Sequence, residues 1–305
     1  MSGILMMSVG NSYSSLPLNT VAPAVTGTAS VGQTLTTTNG TWSGAPAPTF
    51  TYQWQRNTSN ISGATSSTYV LDFPDAGKAI RCVVTATNSL GAVSANSNST
   101  ASVALPAIGS AAGGGFYAGQ ISTSENGVAT HYLIVGPAST AVSLLQWKDS
   151  SNANPGATSF IDGVQNTADL VAAGNATVYP AAHFCNNLVT GGQTDWYMPA
   201  RNELITCYYF LKPTTQTNTT SQGSNSYAVS PQPISTNYSS GSPAQTSVAA
   251  FQEGGAQAFT TTDAWWSSTR ESDTSAWLFR FTNGSYDPNF KSNQRSVRAI
   301  RRIPV

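Results

Sequence analysis

Charge is scarce in this chain. Only 9% of its 305 residues are Asp, Glu, Lys or Arg, and 13 basic residues against 13 acidic ones leave no net charge. Whole-molecule attraction to nucleic acid or to an anionic membrane is therefore not indicated. Histidine occurs twice, at His131 and His183, and neither has a neighbouring His, Cys or acidic cluster at metal-ligand spacing. The three cysteines, Cys82, Cys185 and Cys207, lie far apart, which rules out a dense disulfide framework and any Cys-x-x-Cys knuckle. Synthesis and folding in a reducing cytoplasm is the simplest expectation. No stretch approaches membrane-spanning length, and the short apolar run from Ile4 to Val9 has no Lys or Arg before it, so neither a spanning helix nor a secretory signal is expected. A Gly-rich phosphate loop, a serine elbow and a paired-carboxylate site are all missing. Nothing assembles a nucleophile, a base and an orienting group, so the reading is non-enzymatic, with no cofactor and no metal.

Ser, Thr, Asn, Gln and Gly fill the space that charge leaves, a bias that suits β-rich proteins of extracellular or virion surfaces. From residue 22 to 105 short runs such as "QTLTTT", "FTYQWQR", "STYVL" and "AIRCVVTATN" alternate with turn residues and predict an antiparallel sandwich. Trp54 and Cys82 fall on the inward faces of two of these runs, with Leu35 at the matching core position of a third. Both Trp54 and Cys82 are read as structural, the cysteine as a free buried thiol.

Residues 106–115, mostly Ala and Gly, read as a linker. Beyond it "GFYAGQI" and "THYLIVGPA" are strand-like. "VYPAAHFCNNLV" and "PARNELITCYYFLK" predict two helices, the second with Leu204, Cys207, Tyr208 and Leu211 on one stripe. "DGVQNTADL", with Asp162 and Asp169, reads as an exposed turn. Residues 213–247 are polar and repetitive and read as a long loop or insertion. Strands return in "AWWSST", "SAWLFRFTNGSY" and "RSVRAIRRI", and "TNGS" signals a two-residue hairpin turn.

Two resemblances give these patterns a family setting. The stretch containing "GTASVGQTLTTTNGTWSG" and "YQWQRNTSNISGATSSTYVL" resembles bacterial and phage immunoglobulin-like modules, with Leu35 where a first Cys would stand. The strings "AAHFCNNLVTGGQTDWYMPARNELITCYYF", "WWSSTRESDTSAWLFRFTNG" and "VRAIRRI", over residues 113–303, resemble the domain at the C-terminus of the legionella collagen-like adhesin. That resemblance implies a C-type-lectin-like fold, two helices against a twisted antiparallel sheet, with a display surface on the loops between late strands. The fold class expected is thus an all-β immunoglobulin-like sandwich plus an α+β C-type-lectin-like domain. Its parts are an N-terminal anchoring segment at 1–21, the sandwich at 22–105, the linker at 106–115 and the lectin-like domain at 116–305. A calcium-dependent sugar site is disfavoured, because "YDPNF" offers one carboxylate and one amide where calcium needs six or more oxygens.

Seven of the 13 basic residues lie between Arg270 and Arg302. In "RSVRAIRRI" a single strand would place Arg298 and Arg301 on opposite faces, at least one pointing inward toward a carboxylate, with Glu203 as its partner. These three residues, with Trp196 and Trp277, are read as structural. The loop before them mixes aromatic bodies with polar tips, which suits contact with sugars or proteins. Tyr286, Asp287, Asn289, Phe290, Lys291 and Asn293 are the ligand-binding candidates, with Arg270, Glu271 and Asp273 on the same rim.

The functional expectation is a phage virion protein of tail-fibre or receptor-binding type, made in the host cytoplasm. Its lectin-like domain would meet a host cell-surface glycan or protein, and its N-terminal segment would meet other virion proteins. Homo-oligomerisation is left open, and neither nucleic acid nor membrane is an expected partner. A capsid or tail decoration protein and a bacterial surface adhesin are the alternatives, the latter disfavoured by the missing signal.

Overall fold

A computed structural model describes residues 14–150 and 156–305. The apolar run from Ile4 to Val9 therefore lies outside the described residues. The chain forms two compact units, Met1–Leu105 and Pro106–Val305.

Among the described residues the first unit contains nine strands: β1 (Ser15–Val21), β2 (Val25–Thr26), β3 (Thr34–Thr37), β4 (Thr41–Ala45), β5 (Thr49–Arg56), β6 (Ser59–Asn60), β7 (Thr68–Val70), β8 (Ile80–Asn88) and β9 (Gly91–Asn96). They make three sheets, β1-β4, β2-β3-β7 and β6-β5-β8-β9. Val25, Leu35, Trp54, Ile80, Cys82 and Val84 are buried together as the alternation of their strands requires. Trp54 and Cys82 stand directly opposite each other on β5 and β8. The Trp54 indole donates to the Ser66 carbonyl at 2.9 Å, and burial pushes the Cys82 thiol up. Buried Asp75 accepts from Arg56 at 2.7 Å and from the Tyr69 hydroxyl at 2.9 Å. Residues 15–21 correct the expected anchoring segment. They are not separate from the sandwich, because β1 pairs antiparallel with β4 from Ser15 opposite Ala45 to Val21 opposite Thr41.

The second unit follows as β10 (Ala111–Ala112), β11 (Gly115–Ile121), β12 (His131–Val135), α1 (Ala138–Ala141), β13 (Val142–Gln146), α2 (Gly163–Ala173), α3 (Pro180–Asn186) and α4 (Arg201–Leu211). After a long irregular segment come β14 (Trp265–Arg270), β15 (Ser275–Phe279), β16 (Tyr286–Phe290), β17 (Gln294–Arg298) and β18 (Ile300–Pro304). One sheet has the order β10-β11-β12-β18, the other β13-β17-β14-β15-β16. The linker reading at 106–115 is corrected here too. Ala111 and Ala112 pair with β11, the Gly109 amide donates to the Tyr117 carbonyl at 2.8 Å, and Arg301 donates to the Gly113 carbonyl at 2.7 Å. Small residues are needed because the backbone packs closely: a Cβ on Gly114 would lie 2.8 Å from the Gly191 carbonyl oxygen.

Three further expectations are revised. "DGVQNTADL" is a helix, α2, whose first turn is capped by Asp162 accepting from the Gln165 amide at 3.0 Å. The hairpin between β15 and β16 is longer than two residues, because Phe281 turns inward and stacks on Phe259 with ring centroids 3.8 Å apart. "RSVRAIRRI" is not one strand: it breaks at Ala299, and β17 and β18 belong to different sheets. The long polar stretch expected at 213–247 is irregular but tightly bonded. The Lys212 ammonium, which is buried, donates to the Gln216 carbonyl at 2.5 Å and to Asn218 Oδ1 at 2.7 Å. Asn218 Nδ2 in turn donates to the Pro243 carbonyl at 2.9 Å.

The arginine partners differ from the expected ones. Arg298 is buried but, among the described residues, pairs with no carboxylate. Its guanidinium donates to the Gly136 carbonyl at 2.8 Å and the Gln257 carbonyl at 2.7 Å, and sits 4.6 Å from the Phe259 ring. Burial brings its pKa down to about 9. Arg301 makes a two-pronged pair with Asp195 at 2.7 and 2.8 Å, and Arg302 pairs with Asp162 at 3.0 Å. Glu203 instead caps its own helix: it accepts from the Ala200 amide at 2.7 Å and from the Tyr197 hydroxyl at 2.5 Å. Trp196 is buried and donates to the Thr190 carbonyl at 3.2 Å.

Burial raises the Glu203 carboxyl from its ordinary 4.5 to about 7. Between those values the folded chain holds a proton that the unfolded chain has lost, so the contribution of this group to stability declines as pH rises through that window. The thermal midpoint of Glu203→Gln should therefore gain on that of the wild type as pH rises from about 4.5 to 7. Parallel midpoints across the window would contradict the assignment.

Candidate functional site

The hairpin of β15 and β16 sets the geometry of the late loops. Directly opposed residues share a face, so Trp277 with Pro288, and Phe279 with Tyr286, lie on one side, while Leu278 with Asp287, and Ala276 with Asn289, lie on the other. The sequence candidates are thereby divided. Tyr286, Pro288 and Phe290 face the α4 side, where Phe279 packs on Tyr208 at 5.5 Å between ring centroids. Asp287 and Asn289 point away. Asp287 is ion-paired with Arg280, and Asn289 accepts from Asn293 Nδ2 at 2.9 Å.

The first residue of α4 completes the arrangement. Arg201 is fixed there because its amide donates to Thr269 Oγ1 at 3.0 Å, just ahead of the buried stripe of its helix. Its guanidinium carbon lies 3.9 Å from the Phe160 ring centroid, 4.9 Å from that of Tyr286 and 5.2 Å from that of Trp277. Phe160 is brought in by a bond from the Asn202 amide to its carbonyl at 2.8 Å. Tyr286 is held by Gln222, whose side chain accepts from its amide at 2.9 Å and donates to its carbonyl at 2.8 Å. Among the described residues no carboxylate is within ion-pair distance of Arg201. Its bonds to Asn202 Oδ1 are long, at 3.4 and 3.5 Å. Burial lowers its pKa, partly offset by the Tyr286 hydroxyl.

The outcome is a half-exposed aromatic shelf around a cation, continued by exposed Pro288 and Phe290. Such a surface can stack on the apolar face of a sugar ring while offering directional donors to its oxygens. Arg201 and Phe160 were missed by the sequence reading, and Trp277 was read as structural although it lines the shelf. Arg201 carried a faint signal, as a cation two positions before the buried Glu203 and so on a different helical face. Phe160 carried none, since only the folded contact to Asn202 places it.

Lys291 is the clearest correction among the ligand candidates. It is fully buried, and its ammonium donates to the Ser272 carbonyl at 2.8 Å and the Asp273 carbonyl at 2.6 Å, 5.1 Å from the Trp147 ring. It thus fastens the 271–274 turn to the end of β16 and is out of reach of a ligand. Burial brings its pKa down to about 8, helped by Arg270 and Lys148. Arg270 pairs with Asp273 at 3.3 Å, and Glu271 is exposed with its amide donating to the Ser275 carbonyl. This turn lies beside Phe290, at the far end of the hairpin from Tyr286, because Ser275 opposes Phe290.

The C-terminal domain model of Lcl matches residues 140–301, more than half of the chain. The chain belongs to the Lcl C-terminal domain family. Phe160, Arg201, Trp277 and Tyr286 all fall inside the Lcl C-terminal domain span. A fimbrial protein from Bacteroides ovatus aligns with 92% of this chain and 70% of its own, at 9% identity and a TM-score of 0.37. No curated protein sequence matches the chain.

Lys291→Met, which keeps the stem and removes both buried bonds, should lower the urea unfolding free energy by roughly 2 kcal/mol. Phe290→Ala, at an exposed position, should change it by less than about 0.5 kcal/mol. Equal effects would contradict the division between a buried fastener and a surface group.

Proposed function

We propose that the chain is a non-enzymatic attachment protein that holds a host-surface glycan on the shelf of Phe160, Trp277 and Tyr286. The carrying observation is the Arg201 guanidinium, framed by three aromatic rings and without a carboxylate partner among the described residues. A cation left in this way keeps donors available for sugar hydroxyls or for an acidic substituent. Membership of the Lcl C-terminal domain family supports an adhesive role. In this reading the second unit is a C-type-lectin-like display domain and the first an immunoglobulin-like spacer. We place the protein on a phage virion, made in the host cytoplasm and joined to other virion proteins through its N-terminal segment. Three free buried thiols accord with folding under reducing conditions.

Binding of the full chain to host cells and to an immobilised glycan panel tests this reading. Trp277→Ala, Tyr286→Ala and Arg201→Ala should each weaken binding about tenfold or more, as truncation of aromatic and Arg anchors does. Asn289→Ala, on the opposite face of β16, should leave it unchanged. Absence of saturable binding, or equal binding by all four variants, would sink the proposal.

A further inference from the structure

The larger sheet of the second unit ends in β13 on one side and β16 on the other, and the two edges differ. At β16 the Gln222 side chain takes up both backbone groups of Tyr286, and Pro288 removes a donor from the middle of the strand. Among the described residues β13 has no such protection. Its sequence, Val-Ser-Leu-Leu-Gln, holds neither charge nor proline, and its register with β17 runs from Val142 opposite Arg298 to Gln146 opposite Gln294 without a bulge.

The backbone groups that face off this edge follow from the ladder. Leu144 lies opposite Ser296, whose amide donates to the Ala264 carbonyl at 3.1 Å, on the β14 side. Ser296 therefore turns its backbone away from β13, the two form a pair of the non-hydrogen-bonded kind, and the Leu144 N–H and C=O point outward. Neither group has a partner among the described residues. The Leu144 side chain is 54% exposed. On the opposite face of the strand Leu145 lines a groove of about 450 Å³, together with Pro180, Phe184 and Leu188 from α3 and the turn after it. Val189, 71% exposed, lines it too, and no Asp, Glu, Lys or Arg does. A strand added to β13 would thus find apolar contacts on both of its faces.

The chain carries a segment of that kind. Residues 4–9 comprise Ile4, Leu5, Met6, Met7, Ser8 and Val9, so that apolar side chains fall on both faces of an extended run and no charge interrupts it. Residues 10–14 join it to exposed Ser15 at the start of β1, a reach of roughly 17 Å when extended. That length lets the segment leave its own molecule for a neighbouring one.

We infer that residues 4–9 of one copy of the chain add as a strand to β13 of a second copy. The added backbone satisfies the Leu144 N–H and C=O, while alternate side chains enter the groove or cover Leu144. Exchange in both directions closes a symmetric pair and exchange in one direction continues into a string, so either gives a mass above the monomer. The inference names a partner for the N-terminal segment and stands whether or not the Arg201 shelf holds a glycan.

Sedimentation velocity of the full chain over a range of concentrations tests it. The wild type should self-associate. Leu5→Asp combined with Met7→Asp on the donor side, or Leu144→Lys on the acceptor side, should raise the dissociation constant about tenfold or more. Val128→Lys, at a 64% exposed position between β11 and β12, should leave it unchanged. Mixing the donor and acceptor variants should restore a complex, because each supplies the surface the other lacks and misfolded chains would not. If Leu144→Lys fails to fold, a synthetic peptide of residues 2–10 should bind saturably to the Leu5→Asp, Met7→Asp chain. A wild type that stays monomeric at about 100 μM overturns the inference. So does association of the variants equal to that of the wild type, absence of a complex when folded variants are mixed, or a peptide that does not bind.

Discussion

The second unit depends on a buried guanidinium. Arg298 closes β17, one residue before the chain leaves one sheet for the other, and no acid among the described residues neutralises it. Backbone carbonyls of Gly136 and Gln257 take its donors, and the rings of Phe259 and Phe251 lie against its planar face. A charge held this way is costly to bury, but it draws together three segments distant in sequence. These are the turn after β12, the irregular stretch before β14 and the final pair of strands. Fixing the crossover also fixes how the aromatic layer of Phe259, Trp265, Phe279 and Phe281 meets α4.

That aromatic layer links the core to the candidate site. Along the α4-facing side of β15 and β16 the residues pass from buried Phe279 through half-buried Trp277 and Tyr286 to exposed Phe290. The shelf is therefore the surfacing edge of the core and inherits its rigidity from packing. With charge this scarce, the division of labour among cations is sharp. Arg298, Arg301, Arg302, Lys212 and Lys291 are spent on carbonyls and acids inside the fold. Arg201 is held by rings instead, which is what distinguishes it chemically.

Much of the architecture was legible in the sequence. The strand runs of the first unit, the pairing of Trp54 with Cys82, and the stripes of α3 and α4 follow from period-two and period-3.6 patterns. Other features were hidden for identifiable reasons. The first turns of helix α2 hold Gly163, Val164, Asn166 and Thr167, weak helix formers, and the local cue to its start was Asp162 three residues before Gln165. The break at Ala299 left no mark because β17 and β18 carry the same mixture of Arg and apolar residues. Lys291 looked like a loop cation because its carbonyl partners, Ser272 and Asp273, are contributed by backbone that any sequence would supply. The Arg201 shelf combines residues from four separate segments, and no local spacing encodes such a meeting.

The place of β17 in its sheet carries a consequence for how the second unit comes into being. That strand lies between β13 and β14, pairing residues 142–146 on one side and meeting Trp265 on the other. The two halves of the larger sheet are thus joined by the last described strand but one. During synthesis, with the ribosome still covering residues 294–298, β13 and the β14–β15–β16 meander have no common strand. Closure of the unit therefore waits until residues 294–298 have left the ribosome, and a chain interrupted shortly before Gln294 would carry the aromatic hairpin without the sheet that holds it up.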